Sequence, residues 1–133
     1  MKTKRKLTLA LVVGLSIGIA AGFAGARTFQ EKPKPGPGYV IAEVEATDPA
    51  QMKDYAAKVP ATLAPFTHRF VIRGGKTESL EGEPPRGAIV VIAFDSVEKA
   101  REWYDSPAYA AIRPIRQNAS KSRLFIVEGL PPQ

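Results

Sequence analysis

The stretch Ala88-Ile-Val-Val-Ile-Ala-Phe94 is apolar at every position. A strand with one solvent-exposed face alternates apolar and polar residues, whereas a strand covered on both faces is apolar throughout. Residues 88–94 therefore predict a central strand of a sheet, with a further strand on each side.

Upstream of this stretch the sequence predicts a strand, a helix and a second strand. Residues 39–46 alternate between an apolar face and a mixed one, which is typical of a half-buried strand. Asp48-Pro-Ala-Gln51 then supplies an N-cap acceptor, a proline at the first helical position and a glutamine three residues after the cap. We expect this helix to end at Pro65 and the second strand to cover residues 69–73.

Downstream, either Asp95 or Ser96 caps the next helix, and Ser106-Pro107 breaks it and recaps a second helical piece over residues 108–119. Residues 123–128 form the last strand. The order strand, helix, strand, strand, helix, strand predicts a ferredoxin-like α+β fold: a four-stranded antiparallel sheet with its helices on one face.

The second face of such a sheet has no helices on it. Ile41, Val71 and residues of the 88–94 strand are expected there, so this face is apolar. An exposed apolar sheet face needs a partner, and a second copy of the chain, packed sheet against sheet, is the simplest one. We therefore expect a homodimer.

The N-terminal 26 residues have the pattern of an export signal. A basic segment, residues 1–6, is followed by an uncharged run, residues 7–26, that ends in Ala24-Gly-Ala26. The run is also long enough to stay as a membrane anchor, which is the alternative. Residues 27–38 are rich in proline and glycine and predict a linker, so the folded domain is expected at residues 39–130 and outside the cytoplasm, periplasmic or secreted.

Composition excludes several kinds of site. The chain has 133 residues, no cysteine and one histidine, so a disulfide framework, a thiolate nucleophile and a cysteine- or multi-histidine metal site cannot be built from one chain. The net charge of +6 lies largely in the first six residues, and it does not indicate nucleic-acid binding. No cofactor motif is present, and a membrane partner is expected only if the N-terminal segment is retained.

Several motifs, taken in order, resemble the bacterial family known as domain of unknown function 1330. They are Tyr39-Val-Ile-Ala-Glu-Val, Tyr55-Ala-Ala-Lys-Val-Pro60, Arg69-Phe-Val-Ile-Arg-Gly-Gly75, Trp103-Tyr-Asp-Ser-Pro-Ala-Tyr109, Arg113-Pro-Ile-Arg116 and Val127-Glu-Gly129. The resemblance implies a dimeric α/β barrel, whose superfamily includes cofactor-free monooxygenases, muconolactone isomerases and haem-dependent enzymes. The chain departs from many members by its export signal and by His68, where glycine is frequent.

The fold directs the search for ligand-binding residues to the helix-free sheet face. Alternation places Tyr39, Glu43, Glu45, Arg69 and Arg73 there, beside the apolar central strand. Arginines at the margin of an apolar floor can hold a carboxylate or an enolate. The alternative is that these Glu and Arg side chains pair with each other across the dimer, or are solvated at the margin of the sheet.

Further candidate site residues are not identified by the alternation of side chains along the strands. His68 is the one side chain whose ordinary pKa lies near neutrality, so it is the candidate general base; a hydrogen-bonded surface histidine is the alternative. Trp103 and Tyr104, with Tyr109, either wall a cavity or belong to the core. Arg113 and Arg116 share a helical face and either bind an anion or are solvated.

The sequence therefore predicts an exported, dimeric α/β-barrel protein that binds a small anionic or partly apolar ligand between its sheets. Two alternatives stay open. One is a cofactor-free enzyme of the monooxygenase or isomerase kind, and the other is a non-catalytic interaction module of the cell envelope.

Overall fold

The computed structural model describes residues 31–133, which form one sheet and three helices. In chain order the elements are β1 (Gly38–Ala46), α1 (Pro49–Leu63), β2 (His68–Arg73), β3 (Ala88–Phe94), α2 (Val97–Asp105), α3 (Pro107–Ala119) and β4 (Ser120–Glu128). The sheet order is β2-β3-β1-β4, and every neighbouring pair is antiparallel. This is the predicted ferredoxin-like arrangement, with residues 88–94 in an internal strand.

The helices begin where the sequence predicts, because each has a side-chain cap. Asp48 Oδ1 accepts the backbone N–H of Gln51 at 3.1 Å, and its Oδ2 accepts the Gln51 side-chain amide at 2.9 Å. Of the two predicted caps of α2, Ser96 is the one that accepts a backbone N–H, and Ser106 caps α3. These bonds satisfy N–H groups that the first helical turn leaves unpaired.

The core lies between the helices and one face of the sheet. Its largest fully buried side chains are Trp103, Tyr109 and Leu63, one from each of the three helices. The indole of Trp103 stacks on Phe94 of β3 with ring centroids 5.6 Å apart and lies 4.2 Å from the ring of Tyr109. Aromatic packing of this kind fixes where the helices lie on the sheet.

A β-bulge in β2 corrects one of the predicted faces. Phe70 lies opposite Ile92, but Ile72 lies opposite Val91, so Val71 is an extra residue on β2. Because side chains alternate along a strand, one extra residue exchanges the faces that follow it. Ile72 therefore shares the helix-free face with Val91, and the prediction that Arg73 lies on that face is wrong: Arg73 points to the helix side.

The helix-free face is apolar, as predicted. Direct cross-strand partners share a face, which places Val91, Phe125 and Val127 beside Ile41 and Tyr39 of β1. Phe125, Val127 and Ile72 are each more than two-fifths exposed. The helices and the core that they form with the sheet lie on the opposite face.

The domain begins slightly earlier than residue 39. Gly38 is already in β1, Gly36 is buried, and the Pro37 carbonyl accepts the Gly129 N–H at 2.7 Å. The end of the predicted linker thus packs on the C-terminal segment. The predicted signal or anchor, residues 1–26, lies outside the described residues, and no helix within them is long and apolar enough to span a membrane.

Candidate functional site

A cavity of about 220 Å³ lies between the sheet and the helices. Its floor is formed by β1 and β3, including Ala42 and Val90, and its walls by α1 and Trp103, including Met52 and Ala56. Nearly all lining side chains are apolar; the polar ones, apart from the indole of Trp103, are Tyr55, Arg73 and Arg116. The space is therefore on the opposite side of the sheet from the one where sequence reasoning placed the ligand.

Arg116 is the unusual residue of this cavity, because it is a charged side chain that is only 5% exposed. Its Nη1 donates to Ser122 Oγ at 2.6 Å, and its Nε is buried without a hydrogen-bond partner. None of the ion pairs formed within residues 31–133 includes it. A buried guanidinium is ordinarily paired with an acid. Because Arg116 has no such partner among the described residues, its positive charge is not compensated there.

Tyr55 adds a hydroxyl to the cavity. Its oxygen lies 2.7 Å from the hydroxyl oxygen of Tyr109, which is fully buried. Burial, together with the neighbouring Tyr109, raises the pKa of Tyr55 far above its ordinary value, so the Tyr55 hydroxyl is protonated at neutral pH. Since one hydrogen serves the bond between them, the pair keeps a second hydrogen for another acceptor.

Arg73 reaches the same cavity from β2. Its guanidinium carbon lies 4.7 Å from the centre of the Phe70 ring, a cation–π arrangement. The side chain is exposed, unlike that of Arg116. The two arginines therefore differ in environment: one is at the solvated margin of the cavity and the other is in its wall.

Of the side chains that the sequence suggested for ligand binding, the structure brings Arg73, Trp103 and Arg116 to this cavity. Trp103 is both a core residue and a wall of the cavity, and its Nε1 donates to Thr62 Oγ1 at 3.0 Å. Tyr104 lines a separate shallow polar cleft on the surface. Arg113 lies over the Tyr104 ring at 4.6 Å and does not line the cavity.

The remaining predicted binding residues lie on the helix-free face. Glu43 Oε2 accepts Nη2 of Arg123, its neighbour on β4, at 2.8 Å, and Glu43 Oε1 accepts the backbone N–H of Arg86 at 3.1 Å. These bonds lower the pKa of Glu43. Glu43 is thus paired within the protomer, with an arginine that was not among the predicted residues, while Tyr39 and Arg69 lie opposite Val127 and Ala93.

His68 lines a different surface pocket, with Thr67 and Asp95. Its Nδ1 lies 2.8 Å from the carbonyl oxygen of Phe66. A carbonyl only accepts, so Nδ1 carries the hydrogen and Nε2 is the basic nitrogen of the neutral ring. Its role as a general base stays a prediction, and it is not part of the apolar cavity.

Sequence reasoning gave Tyr55 only a packing role, and it left open whether Arg116, together with Arg113, binds an anion or is solvated. A signal for Arg116 was present: it lies seven residues after Tyr109 and three before Ala119, which places it on the buried stripe of α3. An arginine at a core position of an amphipathic helix marks a buried charge.

Comparisons with known proteins agree with this fold. The family model described as "Domain of unknown function (DUF1330)" matches residues 37–130. A protein of unknown function from Rhodopseudomonas palustris is 20% identical, with a TM-score of 0.58 over 76% of this chain and 88% of that one. No curated protein matches the chain.

Two further solved structures are similar. A hypothetical Arabidopsis thaliana protein is 13% identical, with a TM-score of 0.55 over 77% of this chain and 96% of that one. A dimeric ferredoxin-like protein of unknown function from Thermobifida fusca is 17% identical, with a TM-score of 0.50 over 73% and 94%. At these identities the likeness shows the fold.

Proposed function

The chain belongs to the family of domain of unknown function 1330, and from this premise we propose that it is an exported homodimer whose protomers each bind a small, partly apolar, anionic molecule. The binding site in this proposal is the cavity between the sheet and the helices. The observation that carries it is the apolar lining of that cavity with Arg73 and Arg116 among its residues.

The size of the cavity supports a ligand of about one ring. An apolar cavity of about 150 Å³ is enough to hold benzene inside a protein. The cavity here is about 220 Å³, so it has room for a substituted single ring or a short branched chain. Apolar lining with a few polar groups is typical of small-molecule sites, in which the polar groups orient the ligand.

The dimer is supported by the apolar helix-free face. Soluble monomers rarely leave a sheet face of this kind exposed. The similar Thermobifida fusca protein is described as dimeric. In our proposal the sheets of two protomers pack against each other, while each ligand cavity lies on the helix side of its own protomer.

Export is supported by the sequence of residues 1–26 alone, with its basic start, its apolar run and its small-residue ending. Retention of this segment as an anchor is the alternative, and it would hold the domain at the outer side of the same membrane. Both variants expose the cavity to small molecules outside the cytoplasm.

Fluorescence of the single tryptophan tests the proposal, because Trp103 lines the cavity. We would titrate protein expressed from the full chain with benzoate and with benzamide, two single-ring probes of the same shape. Both Ala56 and Ala57 are exposed positions of α1, but only Ala56 lines the cavity, so Ala56→Phe should place a ring in it and Ala57→Phe should not.

We expect a saturable fluorescence change with at least one of the two probes in the parent and in Ala57→Phe, and its loss in Ala56→Phe. Equal binding by the two variants would place the ligand elsewhere. Absence of a response to both probes would contradict a site for single-ring molecules.

A further inference from the structure

We infer that the ligand carries a carboxylate and that this carboxylate pairs with the buried guanidinium of Arg116. The inference rests on the proposed function and deepens it, because it names the chemical class of the ligand and the residue that selects it.

The first argument is the free-energy cost of burying the charge of Arg116 without a counter-charge. An ionised side chain that is removed from water without a counter-charge costs several kcal/mol, and proteins ordinarily avoid this by pairing it with an acid. Arg116 has no acidic partner within the described residues, and its Nε has no hydrogen-bond acceptor. An anionic ligand supplies both the missing charge and the missing acceptor.

The second argument is the sign of the charges around the cavity. Its titratable lining residues are Arg73, Arg116 and Tyr55, and no aspartate, glutamate or histidine is among the described residues that line it. Tyr55 is a hydrogen-bond donor at neutral pH, because its pKa is raised by burial. The polar groups are therefore donors or cations, which favours an anion over a neutral or cationic ligand.

The third argument is the orientation of the guanidinium. Ser122 of β4 accepts from Nη1, so this end of the guanidinium is held from the β4 side. Nε and Nη2 form the other edge of the planar group. Two parallel N–H groups on one edge match the two oxygens of a carboxylate, which a lysine ammonium cannot do.

Arg116 lies between two spaces: Arg116 and Leu124 line the apolar cavity and also the polar cleft on the surface. The apolar body of a ligand would lie on the cavity side, against Trp103 and Val90. The ligand class that fits is a single-ring or short-chain monocarboxylate.

The test compares the affinities of benzoate and benzamide, which differ in charge and hardly in shape. In the parent protein we expect benzoate to bind about 10- to 100-fold more tightly than benzamide, because a hydrogen bond to a charged group adds this much to the affinity. Arg116→Met should abolish this preference while the affinity for benzamide changes little. Arg113→Met, on the same helix but outside the cavity, should retain the preference.

Folding of the variants is checked by thermal unfolding without ligand. We expect Arg116→Met to unfold at the parent temperature or above it, because replacing an unpaired buried charge by an apolar group of similar size is often neutral or stabilising. Arg116→Lys is the second variant: it keeps the charge and loses the planar edge. Its preference for benzoate over benzamide should therefore fall between that of the parent and that of Arg116→Met.

Equal affinity of the parent for the two probes would overturn the inference and leave the proposed cavity standing, provided that Ala56→Phe still abolishes binding. Survival of the preference in Arg116→Met would overturn it as well. Loss of the preference in Arg73→Met alone would assign the anion to the solvated arginine instead. If neither probe binds, both the inference and the proposed single-ring site fail.

Discussion

Trp103 donates its indole N–H to the hydroxyl of Thr62 over 3.0 Å, and this bond joins α2 to α1 inside the protein. Both residues are buried, and the Thr62 hydroxyl in turn donates to the Val59 carbonyl oxygen at 2.7 Å. Because Trp103 and Val59 both line the cavity, the same short chain of hydrogen bonds fixes two of its walls.

Thr62→Val tests this relationship. Valine has nearly the shape of threonine but cannot accept a hydrogen bond, so the buried indole N–H is left unpaired. We expect the free energy of unfolding to fall by about 1–3 kcal/mol, measured by urea denaturation. Thr67→Val, at an exposed position, should change it by less than about 0.5 kcal/mol. An equal effect of the two substitutions would contradict the buried hydrogen bond.

The Glu43–Arg123 pair predicts how stability depends on pH. The pKa of Glu43 is lowered first by its bond with the Arg123 side chain and then by the Arg86 N–H. A group whose pKa is lower in the folded state stabilises the fold above its unfolded pKa, and this stabilisation is lost as the pH falls through the folded pKa. The loss is therefore expected below about pH 5.

Glu43→Gln should flatten the decline in unfolding free energy below that pH, as measured by denaturation at a series of acid pH values. Glu45→Gln is the matched control, because Glu45 lies two residues along β1 and takes part in none of the ion pairs of residues 31–133. If the unfolding free energy of Glu43→Gln declines with falling pH as steeply as that of the parent, a carboxyl other than Glu43 is responsible. The same conclusion follows if the decline disappears in Glu45→Gln.

Gly87 is a position where only glycine fits. Its φ is +82°, and a Cβ built there would overlap the Val44 carbonyl group of the neighbouring strand. Gly87→Ala should lower the unfolding free energy by at least about 2 kcal/mol, since strain and overlap act together. At Gly75 nothing lies within 4 Å of a built Cβ, so Gly75→Ala should be nearly neutral. Similar melting temperatures for the two variants would be the contrary result.

The order of the elements could be predicted from local signals that the tertiary structure does not override. Proline at the first position of α1, the hydroxyl of Ser106 before α3 and the apolar run of β3 each act within a few residues. The bulge could not be predicted in this way. Residues 69–73, Arg-Phe-Val-Ile-Arg, contain no glycine or proline that would indicate a bulge, and the extra residue, Val71, is defined only by the register that β2 adopts against β3.

The candidate site was predicted less well, for a related reason. Alternation along the strands identified the helix-free face correctly. The cavity, however, is formed where α1, α2 and α3 leave a gap over the sheet. Such a gap depends on the side-chain volumes of several elements, which alternation does not describe. Arg116 becomes conspicuous only when its burial and its missing acid are known. Its place in the apolar stripe of α3 was the one sequence signal available.

The last prediction concerns the helix-free face and the proposed homodimer. Phe125 lies on this face opposite Ile41 and is 44% exposed in the single protomer. In a sheet-to-sheet dimer Phe125→Lys would bury a charge without a partner, which costs several kcal/mol in the complex and little in the separated protomer. Native mass spectrometry and light scattering should therefore show a dimer for the parent and a monomer for this variant.

Leu80→Lys is the control for general surface polarity, because Leu80 is 87% exposed and belongs to the loop between β2 and β3 and not to a strand of the sheet. It should remain dimeric at the same protein concentration. A monomeric parent would remove the homodimer from the proposed function, since the apolar face would then need another partner. A dimer that tolerates Phe125→Lys would instead place the interface elsewhere on the protomer. This result would leave the proposed ligand cavity unaffected, because the cavity lies on the opposite side of the sheet and is tested by the ligand titrations.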